Sequence, residues 1–182
     1  MVERGKRLNI RPLSAADAVK LFELRLANRT FVTPWEPRRR EDFWTLEAQA
    51  ADIERGVVQA AADQGFAFGI FLNHSDELVG RVALSNVVRG AWHNTTLGYF
   101  VGRDHNGKGY ATEAVGLTLR YAFETANLHR VQAGVISRNV GSIKVLERSG
   151  FRFEGLALKY LNINGVWEDH RIYAITLEEW TP

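Results

Sequence analysis

Residues Gly102 to Gly109 (GRDHNGKG) stand between a strand-like run, Thr95–Val101, and a segment, Ala111–Ala126, whose apolar residues Val115, Leu119, Ala122, Phe123 and Ala126 fall on one helical face. A strand that turns through glycines into a helix constrains this part of the chain strongly. The first backbone N–H groups of the helix find no partner within it, and they point back across the turn. With glycine supplying backbone freedom and the helix dipole its positive end, an anion should bind there. An ordinary strand-to-helix turn would use the same glycines. Lys108 either adds a point charge to a phosphate or is simply solvated.

Two nucleotide motifs come close and fail. A triphosphate-binding P-loop needs Ser or Thr after its Lys to hold magnesium, and Gly109 stands there; Val131–Ile136, the next strand, carries no carboxylate for the metal. A dinucleotide fingerprint needs a third Gly where Thr112 stands and an acidic residue roughly 20 positions further on to hold a ribose, and neither is present.

The flanking chain reads as alternating α and β. Arg7–Leu13 is a first strand, and Ser14 caps a helix running through Asn28 with Ala18, Leu21, Phe22 and Leu24 on its apolar face. Asn28–Pro37 (NRTFVTPWEP) reads as an ordered loop, and Phe43, Leu46, Ala50 and Ile53 mark a second amphipathic helix. Phe66–Leu72, Glu77–Val88 and Thr95–Val101 form an antiparallel meander. After the central helix come a strand, Arg130–Ile136, and a short helix, Asn139–Ser149, closed by Gly150. Phe153–Leu161 and Val166–Ile175 then pair across Asn164-Gly165, a two-residue hairpin signal.

Composition excludes several classes. Cysteine is absent, so disulfides, thiolate metal sites and an acyl-cysteine intermediate are ruled out. The five histidines show no helical pairing of the kind a zinc enzyme uses, so no metal is expected. A formal net charge of +2 gives no strong electrostatic case for nucleic acid as the main ligand, and the N-terminus has no apolar stretch of signal-peptide or membrane-span length. The reading is one domain, 1–182, in the cytoplasm.

Asn106-Gly107-Lys108-Gly109-Tyr110-Ala111 resembles the coenzyme A signature of the GNAT superfamily of N-acyltransferases, with Asn106 where that signature usually opens with Gln or Arg. Asn139-Val140-Gly141-Ser142 with Glu147-Arg148-Ser149-Gly150-Phe151 resembles the family's second cofactor segment. Tyr160-Leu161 through Asn164-Gly165-Val166-Trp167 and Asp169 resembles its C-terminal hairpin. Asn28-Arg29 with Pro34-Trp35-Glu36-Pro37 looks like the branch that acetylates ribosomal-protein N-termini at alanine or serine. The resemblance implies an α/β (α+β) fold: a mixed, mostly antiparallel sheet of six or seven strands flanked by helices and splayed at its fourth and fifth strands. It also implies acetyl-coenzyme A as cosubstrate.

By the same resemblance, backbone groups near Phe100 and Val101 hold the pantetheine arm, and Asn106 to Thr112 cradle the pyrophosphate. Asn139 contacts the cofactor arm, and Ser142 lies by the sulfur, where it donates a proton or hydrogen bond to the leaving thiolate. The alternative for Ser142 is capping its own helix.

Attack on a thioester needs a neutral amine, and without cysteine the natural route is direct transfer in a ternary complex. Some relatives use an acidic residue where Leu161 stands here, so the general base is unassigned by that match. Glu36 is the leading candidate; Asp169 and His170 are alternatives. Phe31 and Trp35 are expected to shape the acceptor pocket or to pack against the core. The acceptor is a protein N-terminus, a ribosomal protein's for example, or a small amine such as a polyamine or aminoglycoside. A non-catalytic acyl-coenzyme A-binding module is the third reading, and a homodimer is possible.

Overall fold

The computed structural model describes residues 2–181. Its strands form one sheet in the order β1-β2-β3-β4-β5-β6-β8-β7, from β1 (Glu3–Arg4), β2 (Leu8–Pro12), β3 (Phe66–Leu72), β4 (Leu78–Val88), β5 (Asn94–Val101), β6 (Arg130–Ile136), β7 (Arg152–Ile163) and β8 (Val166–Thr176). Eight strands stand where six or seven were expected. The extra one, β1, is two residues with no alternation to betray it, held by pairing with Asn9 and Ile10. By chain order the splay therefore falls between the fifth and sixth strands.

All neighbours are antiparallel except β5 and β6. Those two pair only at Asn94–Thr96 with Arg130–Gln132, so the rest of both edges is left without a ladder. The β7–β8 hairpin turns through Asn164 (φ 48°) and Gly165 (φ 89°), the two positive values that a tight type I′ turn demands.

Each face of the sheet carries its own apolar layer. On one, α4 (Tyr110–Arg120) and α5 (Val140–Arg148) bury Ala114, Val115, Leu119, Ile143 and Leu146 against Leu97, Val101, Val131, Val135 and Tyr173. The central helix does not run unbroken to Ala126. Its last turn, Tyr121–Thr125, widens to π geometry with the Ala126 N–H bonded to the Tyr121 carbonyl at 2.8 Å, which lays the Tyr121 ring against Phe66 and Phe68.

On the other face, α1 (Ala18–Ala27) and α3 (Leu46–Ala61) bury Ala18, Leu21 and Ile53 against Leu13, Phe71 and Leu78. A short 3₁₀ turn, Ala15–Asp17, precedes α1, and Asp17 accepts from the Ser14 N–H and from both terminal nitrogens of Arg11. α3 starts at Leu46, capped by the Thr45 hydroxyl, with Phe43 in a 3₁₀ turn before it. The expected loop after Asn28 is one helical turn, α2 (Arg29–Val32), followed by a 3₁₀ turn, Thr33–Trp35, where Pro34 ends the helical bonding.

Candidate active site

At the glycine turn, Gly107 and Gly109 take φ of +74° and +78°, a region that costs other residues about 1–2 kcal/mol. The turn is held from Arg7, the residue before β2. The Arg7 guanidinium donates to the Lys108 carbonyl at 2.7 Å and to Glu113 at 2.8 Å, and a Cβ at Gly109 would meet its Nη2 at 3.2 Å. Burial pushes the Glu113 carboxyl up, but the N–H groups of Arg7 and Leu8 and that guanidinium outweigh it and hold it below its ordinary value. Asn106 does not project outward. Its Nδ2 donates to the carbonyls of Val101 and Gly102, both at 2.8 Å, and so closes the end of β5 against the turn.

A cavity of about 710 Å³ runs from this turn through the splay to the α2 region. Every candidate cofactor and acceptor residue except Lys108, namely Phe31, Trp35, Glu36, Phe100, Val101, Asn106, Gly107, Gly109, Tyr110, Ala111, Thr112, Asn139 and Ser142, is in its wall, with Asn139 only half-buried. Lys108 is exposed, and its contribution to the turn is its carbonyl. The Gly102 N–H is bonded to the Val79 carbonyl, so strand alternation turns the backbone of Phe100 toward β4. The groups left facing the open splay are those of Tyr99 and the N–H of Val101, whose carbonyl is taken by Asn106.

The alternation also divides the side chains. Tyr99 points to the α5 face, where its hydroxyl lies 2.9 Å from Ser142 Oγ, and burial pushes its pKa up to about 12, so it keeps its proton. Asn139 caps α5 by accepting from the Ser142 N–H at 3.1 Å. The cap is thus supplied by Asn139, and the Ser142 hydroxyl is left for Tyr99 and the cavity.

Phe100, Gly98 and Gly134 belong to the opposite face. There Arg25 stacks on the Phe100 ring with its Cζ 4.1 Å from the centroid and donates from Nη1 to Glu36 Oε1 at 2.8 Å. Arg81 pairs with Asp52 beside it; burial pulls its guanidinium below the ordinary value, Asp52 opposing and nearby Arg25 assisting. Glu36 Oε2 is buried without a hydrogen-bond partner, with Arg39 Nε 3.8 Å away. Trp35 lies under Arg138 and Phe31 under Arg103, centroid distances 5.4 and 5.5 Å. Arg138 also donates to the Pro34 carbonyl and pairs with Glu168, and the Asn164 N–H donates to the Glu36 carbonyl, so the hairpin clasps the loop through Pro34 and Glu36. Asp169 is occupied away from the cavity, accepting from the Lys159 N–H at 2.8 Å where Lys159 takes a positive φ.

A helix-start anion cradle, a splayed strand edge and a hydroxyl pair beside it now stand in one cavity, and comparison with known proteins decides what they belong to. Residues 7–152 match the acetyltransferase (GNAT) domain family. The chain belongs to the GNAT acetyltransferases.

Among relatives of this GNAT chain, Probable N-acetyltransferase YjcK of Bacillus subtilis is 44% identical, across 94% of this chain and 95% of its own. The ribosomal protein uS5-alanine N-acetyltransferase of Escherichia coli is 38% identical, across 97% of this chain and 91% of its own. The structure of Mycobacterium smegmatis RimJ in complex with CoA-disulfide superposes with a TM-score of 0.91 at 33% identity, covering 98% of this chain and 85% of that one.

Acetyl-coenzyme A is the cosubstrate of this GNAT enzyme, and the cavity suits it. Five Lys or Arg side chains (Arg25, Arg39, Arg81, Lys144, Arg148) and one carboxylate, Glu36, are in its wall. Next to Asn106, His105 Nδ1 is buried without a partner while Nε2 meets Glu77 at 3.1 Å. Among the described residues no cluster of three His, Asp or Glu could hold a metal, and no helix is long and apolar enough to cross a membrane.

The sequence reading missed Tyr99 and Arg25. Tyr99 alternates correctly for a strand and carries no motif. Arg25 reads as a surface residue of an amphipathic helix, although it is 6% exposed. Only long-range packing reveals either one.

Proposed function

We propose that this enzyme transfers acetyl from acetyl-coenzyme A to the N-terminal α-amine of a polypeptide, directly within a ternary complex. The observation that carries the choice of acceptor is the charge of the acceptor face. Arg25, Arg39 and Arg81 meet there with Glu36 as the cavity's lone carboxylate, and Glu36 is already engaged by Arg25. A polyamine or aminoglycoside, with several positive charges, would be repelled from such a face; a single α-ammonium on an otherwise neutral chain end would not. The relatives that act on ribosomal-protein alanine support the same direction.

The cosubstrate supplies an activated acetyl thioester. The residues do the rest. The first N–H groups of α4 and the φ-positive glycines receive the pyrophosphate. Backbone groups of Tyr99 and Val101 on the open edge of β5 align the pantetheine arm and polarise the carbonyl. Ser142, with Tyr99 donating to its oxygen, directs its own proton at the departing sulfur. Phe31 and Trp35 wall the acceptor and limit its width. On the acceptor face two groups could take the amine's proton, Glu36 and His170.

The test is mass spectrometry of a peptide that begins with Ala or Ser and carries an internal Lys, incubated with enzyme and acetyl-coenzyme A. A single acetyl on the α-amine is expected. Modification of the Lys side chain alone would reject the reading.

A further inference from the structure

His170 is 2% exposed, sits on the central part of β8, and is in the wall of the cavity. Its Nδ1 lies 3.0 Å from the Glu168 carbonyl oxygen. A carbonyl only accepts, so Nδ1 carries a proton, and in the neutral form of the ring the lone pair is on Nε2. The ring's direction follows from a neighbour. A Cβ on Gly134 would meet Tyr160 Cε1 at 3.4 Å, His170 Cδ2, the ring atom bonded to Nε2, at 3.7 Å and Ile172 Cδ1 at 3.7 Å, so the Cδ2–Nε2 edge of the ring lies against the bare backbone of Gly134 between those two side chains. Gly134 stands two residues beyond the last pair of the β5–β6 ladder, Thr96 with Gln132, which puts it across the splay from Gly98 on the same face. Gly98 likewise has nothing within 4 Å of a would-be Cβ. Two glycines thus face each other across the splay, open space lies over Gly98, and the Cδ2–Nε2 edge of the imidazole borders the Gly134 side beside Tyr160 and Ile172.

We propose that Nε2 of His170 is the general base of the transfer, acting directly or through one water. The inference rests on the acetyltransferase reading above. The splay separates the two proton sites: Tyr99 and Ser142 on the α5 face by the leaving sulfur, His170 on the opposite face by the entering nitrogen. Glu36 is less free for this work, with Oε1 held by Arg25 and Oε2 buried beside Arg39. In the step itself, the amine enters having left one proton in solvent; its lone pair forms the N–C bond as the C–S bond breaks, and Nε2 takes a proton from the attacking nitrogen. The second nitrogen proton balances the one taken up by sulfur, and His170 releases its own to solvent.

The ionisable groups facing His170 are few. From β7 the Tyr160 ring stands edge-on at 5.6 Å; Glu168, two residues before it, has its carboxylate taken by Arg138 at 2.6 Å. β6 presents only Gly134 and Ile136. Across the cavity stands Glu36 with Arg25.

The experiment compares the wild type with His170→Asn, which keeps a donor near the Nδ1 position, and His170→Gln, which keeps a polar atom near Nε2; neither titrates. Both should lose about 100-fold in kcat/KM on an Ala-starting peptide while coenzyme A affinity stays within about twofold. The acid limb of log kcat/KM against pH should fall in slope from about two, amine plus base, to about one, amine alone. Variants that bind coenzyme A and keep the wild-type rate and slope would overturn the proposal. If both variants fail to bind coenzyme A, ¹⁵N NMR of the wild-type imidazoles decides: an Nδ1–H tautomer for His170 supports the proposal and an Nε2–H tautomer overturns it. A wild type that releases no thiol with any amine would defeat the underlying acetyltransferase reading, a result distinct from active but pH-unaltered variants.

Discussion

The two ends of the cavity are built by different means. The cofactor end is made of backbone close in sequence: the β5 edge, the glycine turn and the start of α4 all lie within residues 97–113. The proposed acceptor end is assembled from side chains far apart in the chain, with Arg25 of α1, Arg81 of β4, the loop through Glu36 and the β7–β8 hairpin meeting by long-range ion pairs and stacking. A backbone site tolerates surface drift and binds one invariant ligand; a side-chain site is set by whichever residues the fold brings together. The first is suited to a cosubstrate common to a family, the second to an acceptor that differs among its members.

The contrast can be broken experimentally. The largest effect is expected at the cofactor end: Gly109→Val forces a β-branched residue to φ +78° and crowds Arg7, and should weaken coenzyme A binding about 100-fold by calorimetry. Unchanged affinity would mean that the turn does not hold the pyrophosphate. Ser142→Ala should slow turnover about tenfold to 100-fold with coenzyme A affinity nearly unchanged, as measured by single-turnover kinetics. Equal rates would reduce Ser142 to a structural residue.

At the acceptor end, Arg25→Met strands the Glu36 carboxylate, 20% exposed, and should cost about 2 kcal/mol in thermal unfolding. It should also raise the peptide KM and leave coenzyme A affinity alone. A loss of cofactor affinity there would show that the two ends are not independent.

The smallest effect concerns the attachment of α1. Asp17 is held well below the usual carboxylate range, chiefly by the Arg11 guanidinium, with Ser14 adding to it. A depressed folded-state pKa contributes stability that is fully present above the unfolded value near 3.9 and is lost as pH falls below it. Asp17→Asn should therefore lower the midpoint of thermal unfolding near pH 7, and the gap to wild type should shrink as the acid limb is descended.

The legibility of the sequence follows the same division. The Gly107 and Gly109 turn, the Asn164-Gly165 hairpin and the apolar face of α4 were readable because each states its geometry within a few residues. β1 was not, since two polar residues carry no pattern. Nor was the π turn at Tyr121–Thr125, which exists because the Tyr121 ring must reach Phe66 and Phe68. The capping reading of Ser142 gave way because Asn139, three residues earlier, takes that role. Glu36 was visible as a carboxylate in an aromatic loop, but its ion pair with Arg25 spans eleven residues and a change of element, beyond the reach of local pattern.

The most direct measurement is free thiol release from acetyl-coenzyme A with Ala- and Ser-starting peptides set beside spermidine and an aminoglycoside at equal concentration. The cavity's basic acceptor face predicts kcat/KM at least about tenfold higher for the peptides. Turnover on the small polyamines alone would contradict the account.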